Sequence, residues 1–225
     1  MTIQIQVSRH HIIPFNVLRS FFNTVSQRND FHNIRSFLGV VADNLHLYAG
    51  ASRLDCSVIG PDLIQAGDLA LSMGYGTARG SGTRMAPGFD TLEQFYVWLP
   101  GNLFIGPNNR SDDPGEGFEN HADVVIGSQD FDRLYRTYEN MILYINGNEN
   151  VLSSIRTDLT AIAARRSVYT LDSTNWEYVN GKYRLRTSQN FSIKSSVQKQ
   201  GSDFNYECSG YTPNYNAALD AAGLI

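Results

Sequence analysis

The spacing of apolar residues changes near residue 167, and this change restricts the fold more than any other feature of the chain. Before that point apolar side chains recur every three or four positions, which is typical of amphipathic helices. Such stretches lie at residues 15–27, 30–48, 61–73, 91–99, 129–145 and 148–166. From Ser167 onward short alternating runs take over, and Asn180-Gly181 between two of them is a strong hairpin-turn signal.

Two short apolar segments fall outside the helical pattern. "IQIQVSRHHII" at 3–13 alternates like a strand, and "NLFIG" at 102–106 is too short and apolar to be stable alone. We therefore expect residues 103–107 to form a strand close to the 3–11 strand, despite the long segment between them. The class predicted is α+β, with helices in the first two thirds and an antiparallel β-rich part after them.

Local signals also predict where individual helices begin. A third helix is expected from Pro61 to Met73. Asp90 followed by Glu93 matches the N-cap and its capping-box partner for the next helix.

Composition describes a globular chain without a membrane segment. Hydrophobic residues make up 42% and charged residues 18% of the 225 residues, which is enough to bury a sizeable core. No run reaches the roughly 18 apolar residues of a membrane helix. The N-terminus lacks the basic start and continuous apolar stretch of a signal peptide. We expect a protein that is cytoplasmic when made, with a specialised secretion system as the route to a target cell.

Charge and cysteine content exclude some classes of function. The net charge of −4 argues against a protein that holds nucleic acid mainly by bulk attraction. Cys56 and Cys208 are too far apart in sequence for metal-ligand spacing. Two unpaired thiols and one long-range disulfide both remain open.

His10 and His11 are adjacent in a chain that contains five histidines. A strand projects consecutive side chains to opposite faces, so one pair can serve two partners. We expect both at the end of one strand, opening into a cleft. The structural alternative is a turn anchored by imidazole hydrogen bonds.

The histidine pair belongs to a wider resemblance. "RHHIIP" followed far downstream by "PGNLFIGPNNRSDDPGEGFENH" resembles the HNH, or His-Me finger (ββα-metal), nucleases, and in particular the paired-histidine type of bacterial polymorphic toxins. The resemblance implies that His10 binds a metal and His11 is the general base. It also implies that Asn102 orients the base or ties the loop, and that His121 supplies the closing metal ligand.

The resemblance also implies a domain plan. A two-stranded ββα-like finger would occupy residues 1–146, interrupted by a helical insertion at about 17–99. Residues 147–225 would form a helix and the β-rich C-terminal region.

The polar loop after the second strand holds further candidates. Arg110 is a candidate catalytic residue through phosphate contact, and Asp112 is a candidate metal ligand. Asp113 and Glu119 are further possible oxygen donors, and Asn108 or Asn109 could replace His121. An internally salt-bridged loop is the structural alternative.

The function implied is a metal-dependent nuclease that cuts DNA or RNA, acting as a bacterial toxin or effector domain. An imidazole can deprotonate water at neutral pH, and a divalent cation (Mg, Mn, Zn or Ni) can stabilise the developing charge. Its partners would be a nucleic acid substrate and an immunity protein. Two alternatives stay open: another metal-dependent hydrolase, and a non-enzymatic virulence- or phage-associated binding module that uses its tyrosine-rich β tail.

Overall fold

The two apolar segments on either side of the helical region pair with each other. The computed structural model describes residues 5–78, 84 and 86–187. In it β1 (Val7–His11) runs antiparallel to β2 (Leu103–Pro107), with His10 opposite Phe104 and His11 opposite Leu103. The predicted long-range strand pairing is confirmed.

Four helices lie between these strands: α1 (Phe15–Arg28), α2 (Arg35–Ala51), α3 (Cys56–Gly74) and α4 (Phe89–Val97). Each turns its apolar stripe toward the core. The closest packing within this group is between α2 and α3 and between α3 and α4. The helices of the insertion therefore pack on one another and on helices later in the chain, while the two ends of the insertion meet at the β1–β2 pair.

Two helix starts differ from the sequence predictions. α3 begins five residues before Pro61, because the Asp55 carboxylate accepts the Ser57 N–H at 2.9 Å and caps the helix there. The predicted N-cap at Asp90 is wrong. α4 begins at Phe89 after Gly88, whose φ of 83° suits a glycine, and Asp90 lies in the first turn.

Three more helices follow β2: α5 (Asp123–Ile126), α6 (Ser128–Ile145) and α7 (Leu152–Ala163). α6 packs against α1 and α7, and α7 also packs against α2. Buried side chains from Ile12 to Leu185 form one contiguous core. The predicted division between residues 146 and 147 therefore falls between two helices that pack together.

A hairpin follows the last of these helices. β3 (Trp176–Val179) and β4 (Lys182–Leu185) pair around Asn180-Gly181, whose φ values of 52° and 80° are those of a tight hairpin turn. The hairpin is tied to the loop after β2, since Ser111 N–H donates to Tyr183 O and Tyr183 N–H donates to Asn109 O, both at 2.9 Å. The predicted α+β class and the predicted hairpin are confirmed.

Other segments for which the sequence predicts regular structure form no full strand or lie outside the described residues. The run at 167–171 contributes an isolated bridge from Tyr169 to Phe104. The sequence also predicts an alternating run at 191–197 and a short helix at 214–225, and both of these and Cys208 lie outside the described residues. Within the part of the chain that is described, no helix combines the length and apolar character needed to cross a bilayer.

Gly101 lies two residues before β2 and packs against the main chain of α7, so its substitution tests this contact. A Cβ at this position would lie 2.2 Å from the Ile162 carbonyl oxygen, which belongs to the helix main chain and cannot move aside cheaply. We expect Gly101→Ala to lower the free energy of unfolding by about 2–3 kcal/mol, measured by urea denaturation. The control is Gly39→Ala in α2, where a Cβ meets nothing within 4 Å. It should raise stability by about 0.5–1 kcal/mol. Equal midpoints for the two variants would contradict this packing.

Candidate active site

The chain immediately after His11 is held by a buried asparagine. Ile12 N–H donates to the Asn102 carbonyl oxygen at 3.0 Å, and Ile13 N–H donates to Asn102 Oδ1 at 2.8 Å. Asn102 Nδ2 donates back to the Ile13 carbonyl oxygen at 2.9 Å, and Asn102 is 1% exposed. Of the two roles predicted for Asn102, this geometry corresponds to tying the loop. Glu119 N–H closes the set by donating to Ile12 O at 3.1 Å.

The His11 ring is fixed by a main-chain carbonyl. Its Nε2 lies 2.9 Å from the Val97 oxygen, and a carbonyl can only accept, so Nε2 carries the hydrogen. In the neutral ring Nδ1 then holds the lone pair. Burial lowers the pKa of His11, although the bond to Val97 acts in the opposite direction. The ring is therefore neutral at pH 7 and can accept a proton at Nδ1.

His10 has the same tautomer but different surroundings. Its Nε2 lies 3.2 Å from the Pro107 oxygen, and its ring stacks on Phe104 with centroids 5.2 Å apart. Nδ1 faces the half-exposed Asp113, whose Oδ2 is 3.7 Å away. Burial, and next the charge of Arg110, lower the pKa of His10 against the opposing effect of Asp113. A ring-nitrogen lone pair and a carboxylate thus converge on one face of the strand.

Arg110 and Asp112 lie in an internally bonded loop. Arg110 Nε donates to Asp112 Oδ1 at 3.0 Å, while Asp112 Oδ2 accepts the Leu185 N–H at 2.7 Å. Arg110 Nη1 is 2.7 Å from Glu119 Oε2, an ion-pair distance without the alignment of a hydrogen bond. The Arg110 side chain is 1% exposed. Both Asp112 oxygens and the Arg110 charge are therefore engaged within the protein, as the salt-bridged alternative predicts.

The predicted metal ligands are not gathered into one cluster. In the described ranges no group of three or more His, Cys, Asp or Glu side chains is placed to hold a metal. His121 lies exposed in a turn. The two donors that do approach each other are His10 Nδ1 and Asp113 Oδ2. Asp113 also accepts the Gly115 N–H through its other oxygen at 2.8 Å, which orients the carboxylate.

Three residues around His11 were absent from the sequence prediction. Trp98 and Phe15 flank its ring, with centroids 4.6 Å and 6.2 Å away. Arg9 lies two positions earlier in β1 and therefore on the same face as His11. The strand period could have identified Arg9. Nothing in the sequence distinguishes Trp98 from the core aromatics of α4, because its exposure depends on how that helix ends.

The lowered pKa values of His10 and His11 predict a pH dependence of stability. A histidine whose pKa is lower folded than unfolded stabilises the fold above the unfolded value of about 6.5, and that contribution is lost as the pH falls. We expect the urea midpoint to decrease from pH 7.5 to pH 5. The double variant His10→Gln/His11→Gln should show a smaller decrease. Parallel pH profiles for the two proteins would show that the histidines are not held neutral.

The Asn102 clamp predicts a large loss of stability. Asn102→Ala leaves the N–H and C=O of Ile13 buried without partners, and we expect a cost of about 2–4 kcal/mol in unfolding free energy. Asn109→Ala is the matched control, since it removes one exposed bond to Gly181 and should cost less than about 1 kcal/mol. Similar losses in thermal or urea unfolding would show that the clamp contributes little.

Comparison with known proteins gives one relative and no family. No family model matches the chain, and no solved structure matches it. The chain is 37% identical over 151 residues to "Putative protein p9" of Acyrthosiphon pisum secondary endosymbiont phage 1, a match covering 63% of this chain and 40% of that protein. The chain thus spans less than half the length of this phage relative.

Proposed function

We propose that the chain is a metal-dependent nuclease that hydrolyses phosphodiester bonds in DNA or RNA. The observation that carries this proposal is the His11 imidazole, which is held by the Val97 carbonyl with its Nδ1 lone pair unprotonated. A general base needs this combination of fixed orientation and a neutral ring near pH 7. The resemblance of "RHHIIP" and "PGNLFIGPNNRSDDPG" to the His-Me finger nucleases supports the same assignment.

The proposed reaction uses water as the nucleophile. His11 Nδ1 takes a proton from the water, whose oxygen forms the new bond to phosphorus, and the bond from phosphorus to the leaving ribose or deoxyribose oxygen breaks. That oxygen takes up a proton from solvent. Asn102 acts at a distance from the substrate, by holding the chain that follows His11.

His10 and Asp113 would hold a divalent cation on the other face of β1. Imidazole nitrogen and carboxylate oxygen are donors for Zn, Ni and Mn, and a site with few protein ligands also suits Mg, which keeps several waters. The cation would stabilise charge on the phosphate in the transition state. Asp112 and His121 remain the other predicted ligands. We propose Asp113 ahead of Asp112, because both Asp112 oxygens are already bonded.

A biological role as a toxin or effector domain, with an immunity protein as partner, belongs to the same proposal. A second candidate is a phage-associated binding module without catalysis, and the phage origin of the relative agrees with the phage association alone. Tyr178, 63% exposed on the hairpin, is the residue that such a module would offer to a partner. Incubation of the purified protein with plasmid and with total RNA, with EDTA or with added Mg²⁺, Mn²⁺ or Zn²⁺, separates the two. Metal-dependent cleavage supports the nuclease, and its absence with every metal supports the binding module.

His11→Ala should lower the cleavage rate by about 10²–10⁴-fold with the fold intact, because the general base is lost. His32→Ala is the matched control, since His32 is exposed and bonds only its local Asn29 carbonyl in the described structure. Initial rates on a labelled oligonucleotide and circular dichroism of each variant are the measurements. An active His11→Ala protein would overturn the assignment.

His10→Ala should instead weaken metal binding, so that excess metal partly restores the rate. If His10→Ala is the less active variant and metal never restores it, the two histidine roles are reversed. Asp113→Asn and His121→Ala decide the remaining ligand. Full activity in either variant removes that residue from the metal site.

A further inference from the structure

Two large aromatic side chains beside His11 are exposed. Trp98 is 41% exposed and Phe15 is 43% exposed, although many other aromatic residues of the chain are buried. Their rings flank the imidazole, at 4.6 Å for Trp98 and 6.2 Å for Phe15. Aromatic surface grouped around a single polar residue is more informative than scattered exposed apolar residues, because such groups mark binding sites.

Both aromatic residues are held in place by their neighbours. Trp98 follows α4 and its N–H donates to Gln94 O at 3.0 Å, while Val97 and Leu99 on either side are 3% and 1% exposed. Phe15 is the first residue of α1, directly after the buried Pro14. The backbone thus holds both rings at the surface, so a ligand would find them largely preorganised.

The same face carries a cation. Arg9 is two residues before His11, about 7 Å along the strand. Its guanidinium donates to Ser52 Oγ at 3.2 Å and to Ala51 O at 3.4 Å, and none of the ion pairs in the described part of the chain includes it. Its charge is therefore available to an anionic group that lies along β1.

We propose that Trp98 and Phe15 form a stacking site for an unpaired nucleobase, with Arg9 contacting a flanking phosphate, so that the substrate is single-stranded nucleic acid. This inference rests on the proposed function, because it takes His11 as the reacting centre. The faces of an unpaired base are free to stack on aromatic rings, whereas in a duplex they are covered by neighbouring bases. A chain of net charge −4 has few cations for gripping a duplex backbone, and stacking supplies affinity without them.

The test measures binding without catalysis. Fluorescence anisotropy in EDTA is recorded with a labelled 12-nucleotide DNA, the corresponding RNA and the blunt DNA duplex of the same sequence. We expect both single strands to bind more tightly than the duplex, and the two single-strand titrations to show which sugar is preferred. Trp98→Ala should weaken single-strand binding by about tenfold or more, because one stacked base is lost. Trp98→Phe should retain most of the affinity.

Tyr135→Ala is the matched control, since it removes an aromatic ring of similar exposure (39%) on α6. It should leave binding unchanged. Equal affinity of Trp98→Ala and the unchanged protein overturns the stacking site, and so does duplex binding as tight as single-strand binding. Loss of binding in Tyr135→Ala but not in Trp98→Ala would move the stacking to α6 and also overturns it.

The test of the stacking site can fail or succeed independently of the test of the proposed nuclease. If no metal supports cleavage but Trp98→Ala still loses single-strand binding, the nuclease is wrong and the stacking site stands. If His11→Ala abolishes cleavage while Trp98→Ala binds normally, the nuclease stands and the stacking site is wrong.

Discussion

The hydrogen bonds between Asn102 and Ile13 join two points that are 89 positions apart in the chain, and the arrangement around β1 depends on them. Closing so long a loop is not prohibitive, because each doubling of loop length costs only about 0.6 kcal/mol. The helices between the two points pack on one another and offset that cost. Since the clamp follows His11 directly, buried bonds fix the main chain beside the histidine, and the Val97 carbonyl orients its ring.

The alternation of β1 separates the two histidines into different environments. His10 faces Phe104, Arg110 and Asp113, whereas His11 faces the end of α4 and the start of α1. In the proposed mechanism, His10 would bind the cation and His11 would accept the proton on opposite sides of one strand. The two sides come together only at its end, where His11 is the last residue of β1. In the proposed mechanism a phosphodiester would have to lie across this end to reach both imidazoles.

Much of the fold follows from local patterns, while the details of the site depend on contacts between distant residues. The short apolar "NLFIG" and the alternating "QVSRHH" predict their pairing because neither is stable alone. The choice between Asp112 and Asp113 is different. Asp112 Oδ2 accepts a hydrogen bond from the N–H of Leu185, 73 positions later, and is therefore occupied. This bond forms only because the hairpin packs against the loop. The periodic spacing of apolar residues along the sequence does not predict such a contact.

Arg110 is a second residue whose contacts the sequence does not predict, and these contacts bear on its expected role. Its position in a polar loop suggests phosphate contact, but Asp112 and Glu119 already compensate its charge in the interior. The start of α3 is a milder case, since Asp55 is a typical cap residue and Pro61, six residues later, gives the stronger sequence signal. Local patterns thus located these elements to within a few residues and could not show which charges the fold compensates.

For the proposed nuclease, the ion pairs of Arg110 with Asp112 and Glu119 leave fewer cations free for phosphate contact. Each phosphate neutralised on a single strand contributes a slope of about −0.7 to the dependence of log affinity on log salt. With Arg9 as the cation identified on the His11 face, a tenfold rise in salt would cost only about fivefold in affinity. A duplex-binding protein needs many such contacts and becomes weak at physiological salt when its surface is acidic. The net charge of −4 therefore disfavours duplex binding in particular, and it leaves a site built on stacked bases almost unaffected.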